Sequence, residues 1–316
     1  MANNNNLHAA RKAKNDEFYT QLTDIEKELW HYKDQFENKT VFLNCDDPEE
    51  SEFWFFFSAQ FDNYKLKRLI ATHYDSTKPT YMLEKIRKED GTVEQSKKTL
   101  MQNGDFRSPE SVALLDECDI VVTNPPFSLF KEYVPLLIEH GKKFLVLGDI
   151  NAVSYKEIFP LIKDGKIWAG YSFNKTMEFR MPDSYELKGK AYVDENGVKH
   201  GFVPGICWFT NLEVKKRQEE LILWKEYTPE AFPKYDNYDA IHVDLVKNIP
   251  CDYDGIMGVP ISFLKDYCPE QFEILGITEN AGKGLSNGIR NEEIKIAHPL
   301  INGERQYQRI LIRRKR

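Results

Sequence analysis

The sequence predicts a doubly wound α/β domain on a mostly parallel sheet, followed by a smaller carboxyl-terminal region. Two observations carry this. Short apolar, β-branched runs alternate with stretches of helical spacing from about residue 16 to residue 147. Strands that read as continuous apolar runs belong to sheets covered on both faces. Beyond about Leu212 the alternation fades, and Pro, Tyr and Asp become frequent. No internal repeat points to a solenoid or propeller instead.

Residues 1–14 (MANNNNLHAARKAK) have the polar, low-complexity composition of a disordered tail. A helix is predicted over residues 16–36, with Leu22, Ile25, Leu29 and Trp30 at helical spacing. Residues 41–45 read as a buried strand and 53–61 as a helix, whose aromatic run Phe53-Trp54-Phe55-Phe56-Phe57 is read as core packing. Strands follow at 69–73, 119–123 and 143–147, with a helix at 128–139. Residues 77–99 interrupt the rhythm with charge and Gly91, the pattern of a hairpin insertion. Residues 173–181 and 205–211 turn strand-like again around a polar link at 182–201, a hairpin with a long loop closing the sheet. The expected division is a tail at 1–14, a catalytic domain at 15–211 and a second region at 212–316.

Composition narrows the class. The chain has 316 residues, 41% hydrophobic and 29% charged, enough for a full globular core. No apolar run is long enough to span a membrane and no signal-peptide pattern opens the chain, so a soluble protein of the cytoplasm is expected, in a bacterial or phage-infected cell. Cys45, Cys118, Cys207, Cys251 and Cys268 stand far apart with no C-x-x-C pair, which argues against a zinc site or a disulfide framework. The net charge of −7 is awkward for a nucleic-acid protein. Residues 281–316, however, carry nine Lys or Arg against three Glu, and Arg11, Lys12 and Lys14 form a second basic cluster. Such runs are ordinarily solvated surface or a frayed tail, so charge alone decides nothing.

The strongest chemical signal is Asp119-Ile-Val-Val-Thr-Asn-Pro-Pro-Phe127, an apolar strand running into Asn124-Pro125-Pro126-Phe127 with a helix after it. The prolines fix φ and restrict the residue before them, so the Asn124 side chain and the Pro125 carbonyl can be held in one direction. Two fixed acceptors around an aromatic amine would draw its lone pair towards a methyl sulfonium, and Phe127 could stack on the ring that bears it. The rival reading is a proline-rich turn with Phe127 packing on the core.

Asn124-Pro125-Pro126-Phe127 matches the catalytic tetrapeptide of amino methyltransferases. From about Lys14 to the carboxyl end the chain resembles the EcoRI-type adenine-specific DNA methyltransferase family, through Lys14-Asn-Asp-Glu-Phe-Tyr-Thr-Gln21, Val41-Phe-Leu-Asn-Cys-Asp-Asp-Pro48, Leu69-Ile-Ala-Thr-His-Tyr74, Gly205-Ile-Cys-Trp-Phe-Thr-Asn211 and Ile310-Leu-Ile-Arg-Arg-Lys315. The resemblance implies a Rossmann-like S-adenosylmethionine-dependent fold and a restriction-modification or orphan enzyme. It places Phe18, Tyr19 and Thr20 at the methionine end of S-adenosyl-L-methionine. Asn44, Asp46 and Asp47 fall at the end of the first strand, where a carboxylate could meet the cofactor's ammonium group. This sequence departs from the fold's D-P-x-x-G-x-G pattern there: Glu49-Glu50-Ser51-Glu52 replaces the glycines, so no backbone glycine cradle is expected. Asp105 and Phe106 match the motif that holds the cofactor's adenine, with a plain Gly-Asp turn as the rival. His73 falls near the ribose or is simply structural.

The expected substrate is double-stranded DNA, with no membrane partner, no metal and no covalent intermediate. A cognate restriction endonuclease is expected to act on the same DNA without a stable complex, and the oligomeric state is left open. Lys283, in the glycine-rich loop at 282–284, and Arg313 and Arg314 are the candidate phosphate contacts, the last two near a chain end that would be mobile. Enzymes methylating an RNA adenine or a protein glutamine share the Asn-Pro-Pro-aromatic motif, and a catalytically silent DNA-binding module would share the fold.

Overall fold

The computed structural model describes residues 19–45, 47–75, 80–181, 186–187, 189–279 and 283–315. The expected tail at 1–14, together with Phe18, Asp46 and Gly282, lies outside the described residues. The chain divides into two compact units, residues 1–150 with 169–213, and residues 151–168 with 214–316.

The first unit is a mixed sheet, parallel at its centre. β1 is Tyr19–Thr20 and α1 Leu22–Leu29, which continues as a tighter 3-10 segment over Trp30–Phe36. β2 (Thr40–Leu43), α2 (Glu52–Ala59), β3 (Arg68–Thr72), β4 (Tyr81–Arg87) and β5 (Val93–Thr99) follow. Next come α3 (Pro109–Glu117), β6 (Ile120–Thr123), α4 (Phe130–Glu139) and β7 (Lys143–Asp149). The unit ends with β8 (Lys175–Arg180), β9 (Tyr192–Val193) and β10 (Lys199–Thr210). The strand order is β1-β8-β10-β7-β6-β2-β3-β4-β5, with β9 paired to β10. Among the described residues, β7-β6, β6-β2 and β2-β3 are parallel neighbours. Val41, Phe42, Leu69, Ile70, Val121, Val122, Phe144 and Val146 are wholly buried, because helices cover both faces of these central strands.

Three local expectations need correction. The first helix begins at Leu22 and not at Asp16, because Tyr19 and Thr20 pair antiparallel with Arg180 and Phe179. Trp30 is 69% exposed, since the helix points Ile25, Glu28 and Leu29 inward instead. The closing hairpin of β8 and β10 is longer than expected and is not the edge: β10 starts at Lys199, and β1 lies outside β8. The insertion at 77–99 does contain a hairpin, with Gly91 at φ 84° in its turn and Asp90 Oδ1 accepting from the Thr92 amide at 2.9 Å. In α2, capped by the Ser51 hydroxyl, Phe53, Trp54, Phe56 and Phe57 are buried while Phe55 faces outward.

Glu28 fixes α1 to the loop before β8. Its carboxylate accepts from the Tyr32 hydroxyl at 2.9 Å and from the Tyr171 and Ser172 amides at 2.7 Å each. A side chain at Gly170 would strike that carboxylate, its Cβ falling 2.4 Å from Glu28 Oε1. Burial raises the carboxyl pKa, an effect the three donors oppose.

The second unit is built on a four-stranded sheet. Its elements include α5 (Phe159–Lys163), β11 (Ile241–His242), β12 (Met257–Pro260), β13 (Phe272–Ile277) and β16 (Arg309–Arg314). The short pair β14 (Leu300–Ile301) and β15 (Glu304–Arg305) stands apart as a hairpin. The sheet order is β11-β12-β16-β13. β16 is thus a central strand with Ile310, Leu311 and Ile312 wholly buried, and the expectation of a mobile chain end is overturned. The run Arg-Ile-Leu-Ile-Arg-Arg supplies the apolar middle that a central strand requires.

Candidate active site

Because β6, β2 and β3 are adjacent and parallel, the residues that follow them emerge at one edge of the sheet. These are Asn124, Asn44 and His73. Ligands of open α/β sheets bind beyond the carboxyl ends of such strands. Asn44 is buried, and its Oδ1 accepts from the Tyr133 hydroxyl. Tyr133 comes from α4 and is wholly buried, which pushes its hydroxyl pKa well up. Phe106 stands edge-on to Tyr133, ring centres 5.0 Å apart. The structure therefore joins Asn44 and Phe106 through a tyrosine.

A second cluster forms around Asp47. Its Oδ1 accepts from the Tyr81 hydroxyl at 2.7 Å, and its Oδ2 lies 3.4 Å from His73 Nε2. His73 stacks on Tyr81 and turns Nδ1 to the Thr80 hydroxyl. Desolvation and the Asp47 carboxylate both raise the Tyr81 pKa. Gly104 locks the next turn against this cluster. It has φ 77°, and a Cβ there would come 2.0 Å from the His73 carbonyl oxygen. Beside it, Asp105 takes Arg107 Nε at 2.9 Å, Arg107 Nη2 at 2.7 Å and the Arg107 amide at 2.9 Å. These bonds hold its carboxyl below the usual aspartate range.

Asn124 and Pro125 are buried and Pro126 is half-buried. Phe127 keeps only 2% of its surface, so as folded the ring is packed under the turn. Tyr19 and Thr20 lie beside the carboxyl end of β8, and the Thr20 hydroxyl is buried with no hydrogen-bond partner among the described residues. Thr72 and Thr123, the last residues of β3 and β6, have hydroxyls in the same condition. A cavity of about 830 Å³ brings the chain after Thr20 together with the turn after β2, lined by Gln21, Leu22, Pro48, Ser51, Trp54 and Arg180 among others. Arg180 and Glu50 pair at its wall, 2.5 Å apart. Asn44, Asp105 and Asn124 do not line it.

A family model described as "Adenine-specific methyltransferase EcoRI" matches residues 6–315. The chain belongs to this family. It is an adenine-specific DNA methyltransferase. It is 43% identical to "Type II methyltransferase M.EcoRI" of Escherichia coli, over all of this chain and 98% of that one. It is 40% identical to "Type II methyltransferase M.MgeORF184P" of Mycoplasma genitalium and to "Type II methyltransferase M.MpnI" of Mycoplasma pneumoniae, over 98% of each chain in both cases. No solved structure matches the sequence.

In this methyltransferase the supporting residues escaped the sequence reading. Tyr133 reaches Asn44 across 89 positions and Tyr81 reaches Asp47 across 34, distances at which one sequence holds no pairing signal. Arg107, only two residues from Asp105, was the findable one: an Asp-x-Arg spacing in a turn favours a local ion pair. Among the expected DNA contacts, Lys283 is exposed and its Nζ lies 3.4 Å from the Ser154 carbonyl. Arg313 pairs with Glu273 at 2.9 Å, and Arg314 lies 3.6 Å from Asp254 and also donates to the Cys251 carbonyl. No helix among the described residues is long and apolar enough to cross a membrane.

Proposed function

We propose that the enzyme transfers a methyl group from S-adenosylmethionine to the exocyclic N6 of an adenine swung out of duplex DNA. The observation that carries this is the rigid Asn124-Pro125 turn at the end of β6, next to the end of β2, in a chain of the adenine-specific family. The residues around the edge fit the donor. The adjoining cavity has room for one end of it, and its wall carries Glu52 beside Glu49 and Glu50, which are already paired with Lys97 and Arg180. The orphaned Thr20 hydroxyl is a further unmet hydrogen-bonding group near the same wall.

When bound, S-adenosylmethionine supplies an electrophilic methyl carbon on a sulfonium. The protein's part is orientation. The Asn124 side-chain oxygen and the Pro125 carbonyl accept the two N6 hydrogens, which localises the lone pair on nitrogen and aims it. Phe127, buried as folded, sets the plane of the base once its ring turns out from under the turn. The N–C bond forms as the C–S bond breaks, leaving a thioether, and the methylated amine releases one proton to solvent. Asn44 and Phe106, braced by Tyr133, and Asp47, braced by Tyr81 and His73, form the cofactor side. Phe18, Tyr19 and Asp46 complete it. Asp105 accepts from the cofactor's adenine with Arg107 holding its carboxylate in place.

The carboxyl-terminal unit recognises the target sequence, and a cognate endonuclease shares that sequence without binding the methyltransferase. The test is methyl transfer from labelled S-adenosylmethionine to unmethylated duplex DNA, RNA and a protein extract in parallel, followed by nucleoside analysis. N6-methyladenine in DNA alone is the expected result. Label in RNA or protein would transfer the function to another class sharing the tetrapeptide, and no label anywhere would leave a DNA-binding module.

A further inference from the structure

β16 carries three arginines, of which two have counter-ions among the described residues. Arg313 and Arg314 lie against Glu273 and Asp254. Arg309, at the start of the same strand, forms no ion pair among the described residues. Its one side-chain hydrogen bond runs from Nη1 to the Gln308 carbonyl at 3.3 Å, and its Nε is buried without an acceptor. The backbone beneath it is fixed, since its amide donates to Thr278 Oγ1 and its carbonyl accepts from the Thr278 amide, each at 2.8 Å.

The groups facing this guanidinium are already committed. The Tyr235 hydroxyl is hydrogen-bonded to His242 Nδ1 at 2.8 Å. The Asp244 carboxylate accepts from the Leu245 amide at 2.7 Å and from Asn248 Nδ2 at 2.9 Å. Tyr307, two residues before Arg309 and 74% exposed, is the one ring of the set that faces solvent. Burial lowers the pKa of Arg309, and burial together with the Arg309 charge lowers that of His242, so the imidazole is neutral and adds no competing cation.

A partly desolvated cation that forms no ion pair, its facing Asp244 carboxylate being engaged by Leu245 and Asn248, is a cost to the free protein that an anionic ligand reduces. A neutral base edge would leave the charge unmatched, whereas a phosphodiester matches it. We propose that Arg309, with Tyr307 at its rim, binds a backbone phosphate of the DNA substrate. This rests on the reading that the carboxyl-terminal unit engages DNA, and it assigns the phosphate contact to Arg309 in place of the paired Arg313 and Arg314.

The experiment measures binding of the full-length chain to a labelled duplex across a salt series, with Arg309→Met, Arg309→Gln and Arg313→Met beside the wild type. Thermal melting identifies which variants are folded, and the gentler Arg309→Gln serves if Arg309→Met is not. Each phosphate contact contributes about 0.9 to the slope of log affinity against log salt. Both Arg309 variants are expected to lose roughly one unit of slope, and to weaken substrate and unrelated duplexes alike. Arg313→Met is expected to lose much less. An unchanged slope, or weakening confined to one base position, overturns the proposal. If Arg309 variants keep the slope while Lys283→Met reduces it, only the Arg309 assignment fails. If every substitution in this unit leaves the slope intact while the wild type binds duplex, the reading of the unit as DNA-binding fails with it.

Discussion

The two units differ in how their buried cations and carboxylates are matched. In the first, Glu28 is enclosed but surrounded by three donors, two of them backbone amides, so its charge is consumed by the fold. In the second, Arg217, Arg290 and Arg309 each bury an Nε that has no acceptor among the described residues. Arg217 is held over the Trp168 ring at 4.1 Å, and Arg290 lies 3.9 Å from Glu279. The difference teaches where function sits. The first unit uses the buried Glu28 carboxylate for rigidity, and the groups proposed to hold the target amine, the Asn124 side chain and the Pro125 carbonyl, carry no charge. The second holds, at Arg309, positive charge with no ion pair among the described residues.

The largest expected effect tests the uncharged half of that contrast. Asn124→Ala removes the side-chain oxygen while Pro125 and Pro126 keep the turn in shape. Turnover should fall by about 10³-fold or more, with S-adenosylmethionine binding by calorimetry nearly intact. Near-normal turnover would mean that the strand end is only scaffolding and that the chemistry lies elsewhere. Glu28→Gln tests the other half. It presents an amide N–H to the Ser172 amide, setting donor against donor in a sealed site. The expected cost is about 1–3 kcal/mol, read as a lower melting temperature, with the ratio of kcat to KM unchanged in the folded fraction. A variant of wild-type stability would remove Glu28 from the structural column.

How much of this was legible depended on how local the cause was. The central strands β2, β3, β6 and β7 could be read because burial on both faces forces continuous apolar runs, and Asn124-Pro125-Pro126-Phe127 because it directly abuts one of them. Trp30 misled because helical spacing alone does not say which face Glu28 occupies, and a buried carboxylate is identifiable only once its donors, 143 and 144 residues away, are in place. The end of β16 is expected to be mobile from its place near the chain end, although Ile310-Leu311-Ile312 carries a strand signal. Asn44 and Asp47 were legible as positions after a strand. Their supports Tyr133 and Tyr81 were not, being set by packing between distant elements.

Titration offers a finer separation of the units. Glu28 has a raised pKa in the folded chain, so its contribution is whole below the ordinary value of 4.5 and declines as pH rises above it. His242 has a lowered pKa, so its contribution is whole above 6.5 and declines as pH falls below it. Denaturant unfolding from pH 5 to 7 should therefore show an acid-side loss of stability that His242→Gln flattens. An acid limb unaffected by the substitution would detach His242 from the second unit's charge balance.

The smallest expected effect is the most discriminating for the arginines. Arg313 and Glu273 face each other on adjacent strands with about half of each side chain exposed, 49% and 47%. Water and salt screen such a pair, and exposed pairs contribute about 0.2–1 kcal/mol. Arg313→Ala should therefore change stability by no more than that, and a double-mutant cycle with Glu273→Ala should recover only a small coupling. Arg309, four residues along, has no such partner, so its substitution should cost the free protein little or even stabilise it while weakening DNA binding. The two arginines then separate cleanly. Loss at Arg313 is small in the free protein and small on DNA, whereas loss at Arg309 is felt on DNA alone. If Arg309→Met destabilised the free protein more than Arg313→Ala, its guanidinium would be satisfied by the fold after all, and the contrast between the units would reduce to a difference in exposure.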